Sequence, residues 1–439
     1  MSLNMSRIAK KKDLIFFLLA SLACLICHLS PTATSEALFT LDITTLLWII
    51  FRNASKGTQN SRDSAVILSI FIITSLLFYR ILFLFPVAPS FLETKTTATL
   101  ERNFQISSLL LFFFLLGSLG ASSLRCPEAR FATPTINSRS NAKLYYFVAW
   151  IPIFLLIISY FIFWRGESYA ALQADLTGVR GLIFKTIYIS FGAVINLGLE
   201  EKRLKLAGGR LLFLSLGYIF TFGLLYQVRS PIFFYLLLVY YFWGNWLTAP
   251  RLALTVGALI LLFGSIAILR DPTLASTGDT QALFGMLVGL GYFPDTIGFT
   301  LHYIRDHGIS YGTGIISDLI GLGTPLANLY ALTIDPTYAR RGGGFGFFFI
   351  SDYIYNFGVY GSTILLTITG FTLSRLNFSK RTGVQIVAAA LFANTFAIFR
   401  NDVGSSLRGS LYVITATVAL RAFARLFPSA LPKHLIAQH

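Results

Sequence analysis

AVILSIFIITSLLFYRILFLFP, residues 65–86, carries a single charged side chain, Arg80, in twenty-two positions. At 1.5 Å per residue, an apolar run of this length spans a hydrocarbon core of about 30 Å. Runs of the same kind recur along the chain, and they predict about twelve transmembrane helices: 14–30, 36–51, 65–86, 106–123, 144–164, 181–199, 211–228, 231–247, 252–269, 356–374, 384–399 and 409–426. The short alternating segments of a membrane barrel are absent from the sequence. The fold class expected is therefore an all-α polytopic membrane protein.

Composition agrees. Of 439 residues, 55% are hydrophobic and only 12% charged, against about 25% charged in soluble domains; the mean hydropathy is +0.69. Soluble-enzyme and nucleic-acid-binding readings fall away. The net charge of +16, from 35 basic and 19 acidic residues, looks like a polyanion signal but follows the loops. Arg52, Lys56 and Arg62 mark one turn, and Arg125, Arg130, Arg139 and Lys143 the next. Glu200–Arg210, Arg375, Lys380, Arg381 and both termini complete the set. All fall on one side if the N-terminus is inside, so the positive-inside rule predicts N-in/C-in.

Cys24 and Cys27 lie one turn apart in the first apolar run and Cys126 lies in a cytoplasmic loop. At membrane depth the pair reads as packing residues, as does Cys126. Lys10–Lys12, the run Leu14–Cys27 and the small residues after it resemble a secretory signal. We expect this first helix to be kept as an anchor.

Three parts follow: residues 1–269 with nine helices and short loops, a large external loop at 270–355, and 356–439 with the last three helices. The loop holds a moderately apolar amphipathic piece, Ala282–Tyr303, expected to lie at the membrane surface. Its Gly-rich end, YGTGIISDLIGLGTPLANLYALTIDPTYARRGGGFGFFFISDYIYNFG (311–358), is the place where chemistry or recognition is expected.

Basic residues on the outer side run against the topological bias and ask for a reason. Arg229 sits in QVRSP between two helices, Arg400 and Arg408 flank RNDVGSSLRG, and Arg340–Arg341 form a pair in the loop. A guanidinium fork donates two parallel hydrogen bonds and keeps its charge, which suits a diphosphate. The alternative is snorkelling to lipid headgroups or pairing with nearby acids. Asp352, amid aromatic residues, is the candidate general base; the alternative is a carboxylate serving free amides at a helix N-terminus. Asp402 could take the base role or pair with Arg400, and His302 and His307 read as surface residues. Tyr353 and Tyr355 are candidates to stack on sugar rings, or belong to an interfacial aromatic belt. The sequence has no H-E-x-x-H, no D-x-D, no close outward carboxylate pair and no Walker or Rossmann glycine pattern, so no metal and no cofactor is expected.

The order of features resembles the Wzy-type O-antigen (oligosaccharide repeat-unit) polymerases. Three pieces carry the resemblance: VRSPIFFYLLLVYYFWG, the late external loop with GTG near its middle and GFGFFFISDYIYNFGVYG at its end, and FRNDVGSSLRGSLY before the last helix. An acidic residue, an aromatic and N-F-G recur in such proteins; here they are Asp352, Tyr355 and Asn356-Phe357-Gly358, with Asp352 where many members carry Glu. The resemblance implies a lipid-sugar-using (GT-C) membrane glycosyltransferase of the bacterial inner membrane, with the large loop periplasmic. Its substrate would be undecaprenyl-diphosphate-linked oligosaccharide, its surroundings membrane lipids, and a chain-length regulator protein a further partner, with no nucleic acid. Metal-independent transfer with inversion would follow. O-antigen ligase and a polysaccharide or lipid-linked sugar transporter are the rival readings. The transporter is disfavoured by the lack of an internal repeat and by the few mid-membrane ionisable candidates, Asp42, Arg80 and Lys185.

Overall fold

The computed structural model describes residues 34–55, 63–84, 97–123, 138–164, 178–201, 204–244, 293–322, 326–334, 336, 347–377, 379 and 381–426. The expected spans 14–30 and 252–269, the cysteines and the pair Arg340–Arg341 lie outside them. In chain order the helices are α1 (Thr34–Ser55), α2 (Ser64–Leu84), α3 (Thr97–Ser123), α4 (Ser138–Ser159, continued by a π-helical stretch, Tyr160–Trp164), α5 (Gly178–Lys185), α6 (Ile187–Glu200), α7 (Leu204–Tyr218, continued by a second π-helical stretch, Ile219–Leu225), α8 (Ser230–Trp243), α9 (Asp295–His307), α10 (Thr313–Ile320), α11 (Leu326–Ile334), α12 (Phe349–Leu376), α13 (Thr382–Ala393), α14 (Thr395–Arg400) and α15 (Val403–Leu426). No strand occurs among the described residues.

Among the described residues six helices are long and apolar enough to cross a membrane: Ser64–Ile81, Ala98–Ser122, Asn141–Trp164, Gly181–Glu200, Phe349–Leu376 and Val403–Leu426. Gly209–Leu225, Ser230–Trp243 and Thr382–Ala393 are shorter apolar helices. This is the pattern of a multi-pass membrane protein. The expected span 36–51 is helical and lies within α1. The expected span 384–399 is split at Asn394, whose side-chain amide donates to the Ser406 carbonyl (2.5 Å). The expected surface helix at 282–303 is described only from residue 293, and helix begins there at Asp295, after Pro294.

The chain divides into two compact units. The first comprises Met1–Arg130 and Ala267–Arg408. Its centre is the pair α3–α12, where backbone meets backbone. A Cβ on Gly117 would run into the Thr367 carbonyl, and one on Gly370 into the Phe114 carbonyl. Glycine at both positions is what admits so close an approach. A polar thread runs along the contact: the hydroxyls of Ser118 and Ser374 lie 2.7 Å apart, and Ser374 donates to the Asp63 carboxylate at 3.0 Å. Asp63 also accepts the Ala65 amide (2.9 Å), which caps α2. Around this contact Leu110, Phe114, Leu115, Phe348, Phe349, Ile354 and Leu366 form the core. Arg80, the single charge in 65–86, is paired on both sides, with Glu36 and Glu101 at 2.8 Å each.

The second unit comprises Phe131–Ile266 and Gly409–His439. Here α4 packs on α6, and α6 on α8. The stacked rings of Phe191 and Phe234 (4.2 Å) and of Tyr218 and Tyr235 (4.3 Å) fill its centre. Ion pairs Arg210–Glu201 (2.8 Å) and Arg421–Glu200 (3.5 Å) close one end.

Candidate functional site

The described part of the 270–355 segment holds three helices, α9 to α11, and the first turns of α12, and the chemistry of the first unit gathers where these meet the start of α15. The cause is a helix break. Gly358 has φ 68° and ψ 174°, a conformation open in practice to glycine alone, so α12 is interrupted there. The break leaves Asn356 at the end of the first segment with its side chain turned to the loop. Its Oδ1 accepts the Ser310 hydroxyl (2.6 Å) and the Ile315 amide (3.2 Å). A distant asparagine thereby serves the free amides at the start of α10. Its Nδ2 donates to the Asp352 carbonyl (2.8 Å) and to Asp352 Oδ1 (2.9 Å). The Ser310 amide donates to the Tyr355 carbonyl (3.1 Å), a second tie between the loop and α12.

Asp352 is fully buried, and its Oδ2 accepts the Val403 amide (2.8 Å) at the first turn of α15. A carboxylate at a helix N-terminus is stabilised by the dipole and by the amides that lack intrahelical partners. Asp402, 2% exposed, stands at the same turn, and its Oδ1 accepts the Ala327 amide (3.2 Å) of α11. The Phe347 amide donates to the Arg400 carbonyl (2.6 Å).

One pitch further, Gly404 and Arg408 lie four apart and so on one face of α15. Both meet α10. A Cβ on Gly404 would strike the Ile315 carbonyl and come within 2.7 Å of Asp318 Cβ, while the Arg408 guanidinium lies directly over Gly321. Gly321, at φ 79°, closes α10 in the left-handed conformation. Arg408 is thus a residue of the helix rather than of the turn it was expected to flank, and it stands at the negative end of α10 beside Asp318.

Three carboxylates, Asp318, Asp352 and Asp402, therefore share one neighbourhood with the Arg408 guanidinium. The acids stand on α10, on α12 and before α15, too far apart in sequence for any spacing motif to reveal them. Burial raises the Asp402 carboxyl to about 7 and the nearby Asp318 adds to the rise, while the Ala327 amide opposes it. Burial also raises Asp318, with Arg408 pulling the other way. A carboxyl titrating near neutrality can hold or take a proton in the physiological range. Among the described residues no group of His, Cys, Asp and Glu has the arrangement to hold a metal.

The other sequence candidates are distributed as follows. Tyr353 is buried, and its hydroxyl pairs with Thr369 (2.7 Å). Tyr355 is half-buried and meets Tyr303 edge-on, with centroids 5.8 Å apart. Arg400 is half-buried. His302 and His307 lie exposed on α9, the first beside Asp306 (3.5 Å) and the second stacked on Tyr303 (4.1 Å). In the second unit, half-buried Arg229 stands at the N-terminal boundary of α8, ahead of Pro231 and after Gln227 at φ 52°. Asp318 and the bridging role of Asn356 were not read from the sequence. The available signal was an acid inside the apolar run TGIISDLI. Compared with models of protein families, with curated proteins and with solved structures, the chain matches none.

Proposed function

We propose that the protein polymerises lipid-linked oligosaccharide repeat units, passing the growing glycan from undecaprenyl diphosphate to the distal sugar of another lipid-linked unit. What supports the reading is a convergence. Two of the three pieces that carry the resemblance, the loop with GTG and ISDYIYNFG, and FRNDVGSSLRG, are joined by Asn356–Ile315, Asp352–Val403 and Phe347–Arg400 contacts into one group of acids beside arginine. Segments tied by hydrogen bonds at three points form a unit rather than separate loops.

In this reading the acceptor hydroxyl oxygen attacks the anomeric carbon of the donor, the bond from that carbon to the diphosphate oxygen breaks, and the configuration inverts. The proton passes to a carboxylate, and the undecaprenyl diphosphate leaves with the bonding pair. Asp402 takes the proton, since Asp352 already has each oxygen engaged and acts as its positioning neighbour. Arg400 and Arg408 neutralise the leaving diphosphate, where fixed cations favour the developing charge. Arg229, Arg340 and Arg341 keep the diphosphate role expected from the sequence. Twelve spans, both termini inside, a GT-C-like architecture and a periplasmic active face in the inner membrane belong to the same proposal, as does a chain-length regulator partner.

The test is reconstitution. Purified protein in vesicles with synthetic undecaprenyl-diphosphate-linked repeat units should yield a ladder of lipid-linked glycans, with single-unit lipid remaining in its absence. Arg229→Ala and Arg400→Ala should each abolish the ladder while the protein still inserts. A wild-type ladder from both variants would remove the diphosphate role, and no ladder from wild type would remove the polymerase. In cells, deletion should leave one repeat unit on lipid A; lipid A wholly without glycan would instead indicate ligase.

A further inference from the structure

We infer that α10 and the turns at its two ends lie against the acyl region of the bilayer, so that the carboxylate group sits at the lipid–water boundary. From Gly308 to Ile334 the chain contains one charged residue, Asp318, and that residue is only 5% exposed. The apolar residues point the other way. Ile316 and Ile320, four apart on one stripe of α10, are 60% and 59% exposed, and Tyr311 and Leu322 at its ends are 83% exposed. A helix bathed in water turns its apolar stripe inward and its acids outward. In α10 the order is reversed, which is the arrangement suited to an apolar solvent.

What covers the stripe follows from its neighbour. The entry to α10 is fixed to α12 just ahead of the Gly358 break, through the Ser310 amide on the Tyr355 carbonyl and the close approach of Gly312 to the Phe357 ring. Beyond the break α12 is one of the six long apolar helices, and Tyr360, Ile364 and Ile368 form an exposed row at intervals of four. In a membrane-crossing helix such a row faces hydrocarbon. The row begins within one turn of the break, close to the point where the entry of α10 is tied to α12. A protein partner would be expected to meet a polar rim around an apolar centre, whereas α10 itself turns no charge outward, and the Arg408 guanidinium stands over Gly321 at its end. The charged end of α9, with Arg305, Asp306 and His307 exposed, stops at Gly308. Water contact therefore gives way to lipid contact at that glycine. One consequence is that an isoprenoid chain could reach the acids without leaving the bilayer.

The test uses full-length protein with Cys24, Cys27 and Cys126 replaced and single cysteines at Ile316, Ile320 or Leu322, each carrying a nitroxide, in phosphatidylethanolamine–phosphatidylglycerol vesicles. Ile364 supplies the lipid reference and Asp306 the water reference. The ratio of oxygen to nickel-chelate accessibility at 316 and 320 should match 364 and exceed 306 several-fold. A ratio matching 306 overturns the inference, and so does suppression of both collision rates, which would mean that protein covers the stripe. The readout needs no glycan substrate, so it stands or falls separately from the polymerase.

Discussion

Replacing Asp402 by Asn separates the pH dependence of stability from that of catalysis. Burial and Asp318 hold the Asp402 carboxyl at about 7 in the folded protein, against 3.8 for a carboxyl in water. Between these values the folded chain keeps the proton and the unfolded chain has lost it. Stability contributed at this residue is therefore full below about pH 4, falls as pH rises, and levels off above about 7. A gap of about three pH units, at about 1.36 kcal/mol for each, sets an upper bound of about 4 kcal/mol on the loss. Asparagine cannot ionise, and its side-chain oxygen can still accept the Ala327 amide. Thermal unfolding of detergent-solubilised protein from pH 5 to 8 should show the wild-type midpoint falling relative to Asp402→Asn, with the variant the more stable at pH 8. The difference between the two curves isolates Asp402 from Asp318, which titrates in the same sense. Parallel curves would refute the raised carboxyl. Polymer yield should rise through pH 7 in wild type and be lost in the variant at every pH; a variant with the expected melt and a full yield would leave the base role untenable.

Gly358→Ala forces a side chain into φ 68°, ψ 174°, which should cost on the order of 1–3 kcal/mol and lower the melting midpoint; an unchanged midpoint would mean α12 tolerates a straight path. Asn356→Ala strips the acceptor from Ser310 and Ile315 and the donor from Asp352, and a loss of roughly 1–3 kcal/mol is expected, with faster amide exchange at the start of α10 as the direct sign. Gly117→Ala should impair insertion or sharply lower the midpoint because Phe371 N would lie 2.8 Å from the new methyl, whereas Gly120→Ala, whose nearest neighbour is 3.8 Å away, should be close to neutral. Equal effects of the two glycine changes would contradict the backbone contact of α3 with α12.

Residues 65–86 announce a membrane helix because hydropathy is a local property, summed over one run of side chains and insensitive to what packs on it. By the same logic the runs that form α3, α4, α6, α12 and α15 are legible from their amino acids alone. Composition also makes Arg229, Arg400 and Arg408 conspicuous, since positive charge outside the expected cytoplasmic loops is visible residue by residue. Tertiary structure decided the rest. Asp318, Asp352 and Asp402 become neighbours only because Gly358 breaks α12, Asn356 bridges to α10, and Gly404 lets α15 close on α10. The first is a local backbone break, and the other two are contacts between segments far apart in sequence. A carboxyl's protonation likewise depends on its burial and on charges from other segments, so no spacing of acids in the chain could have displayed it.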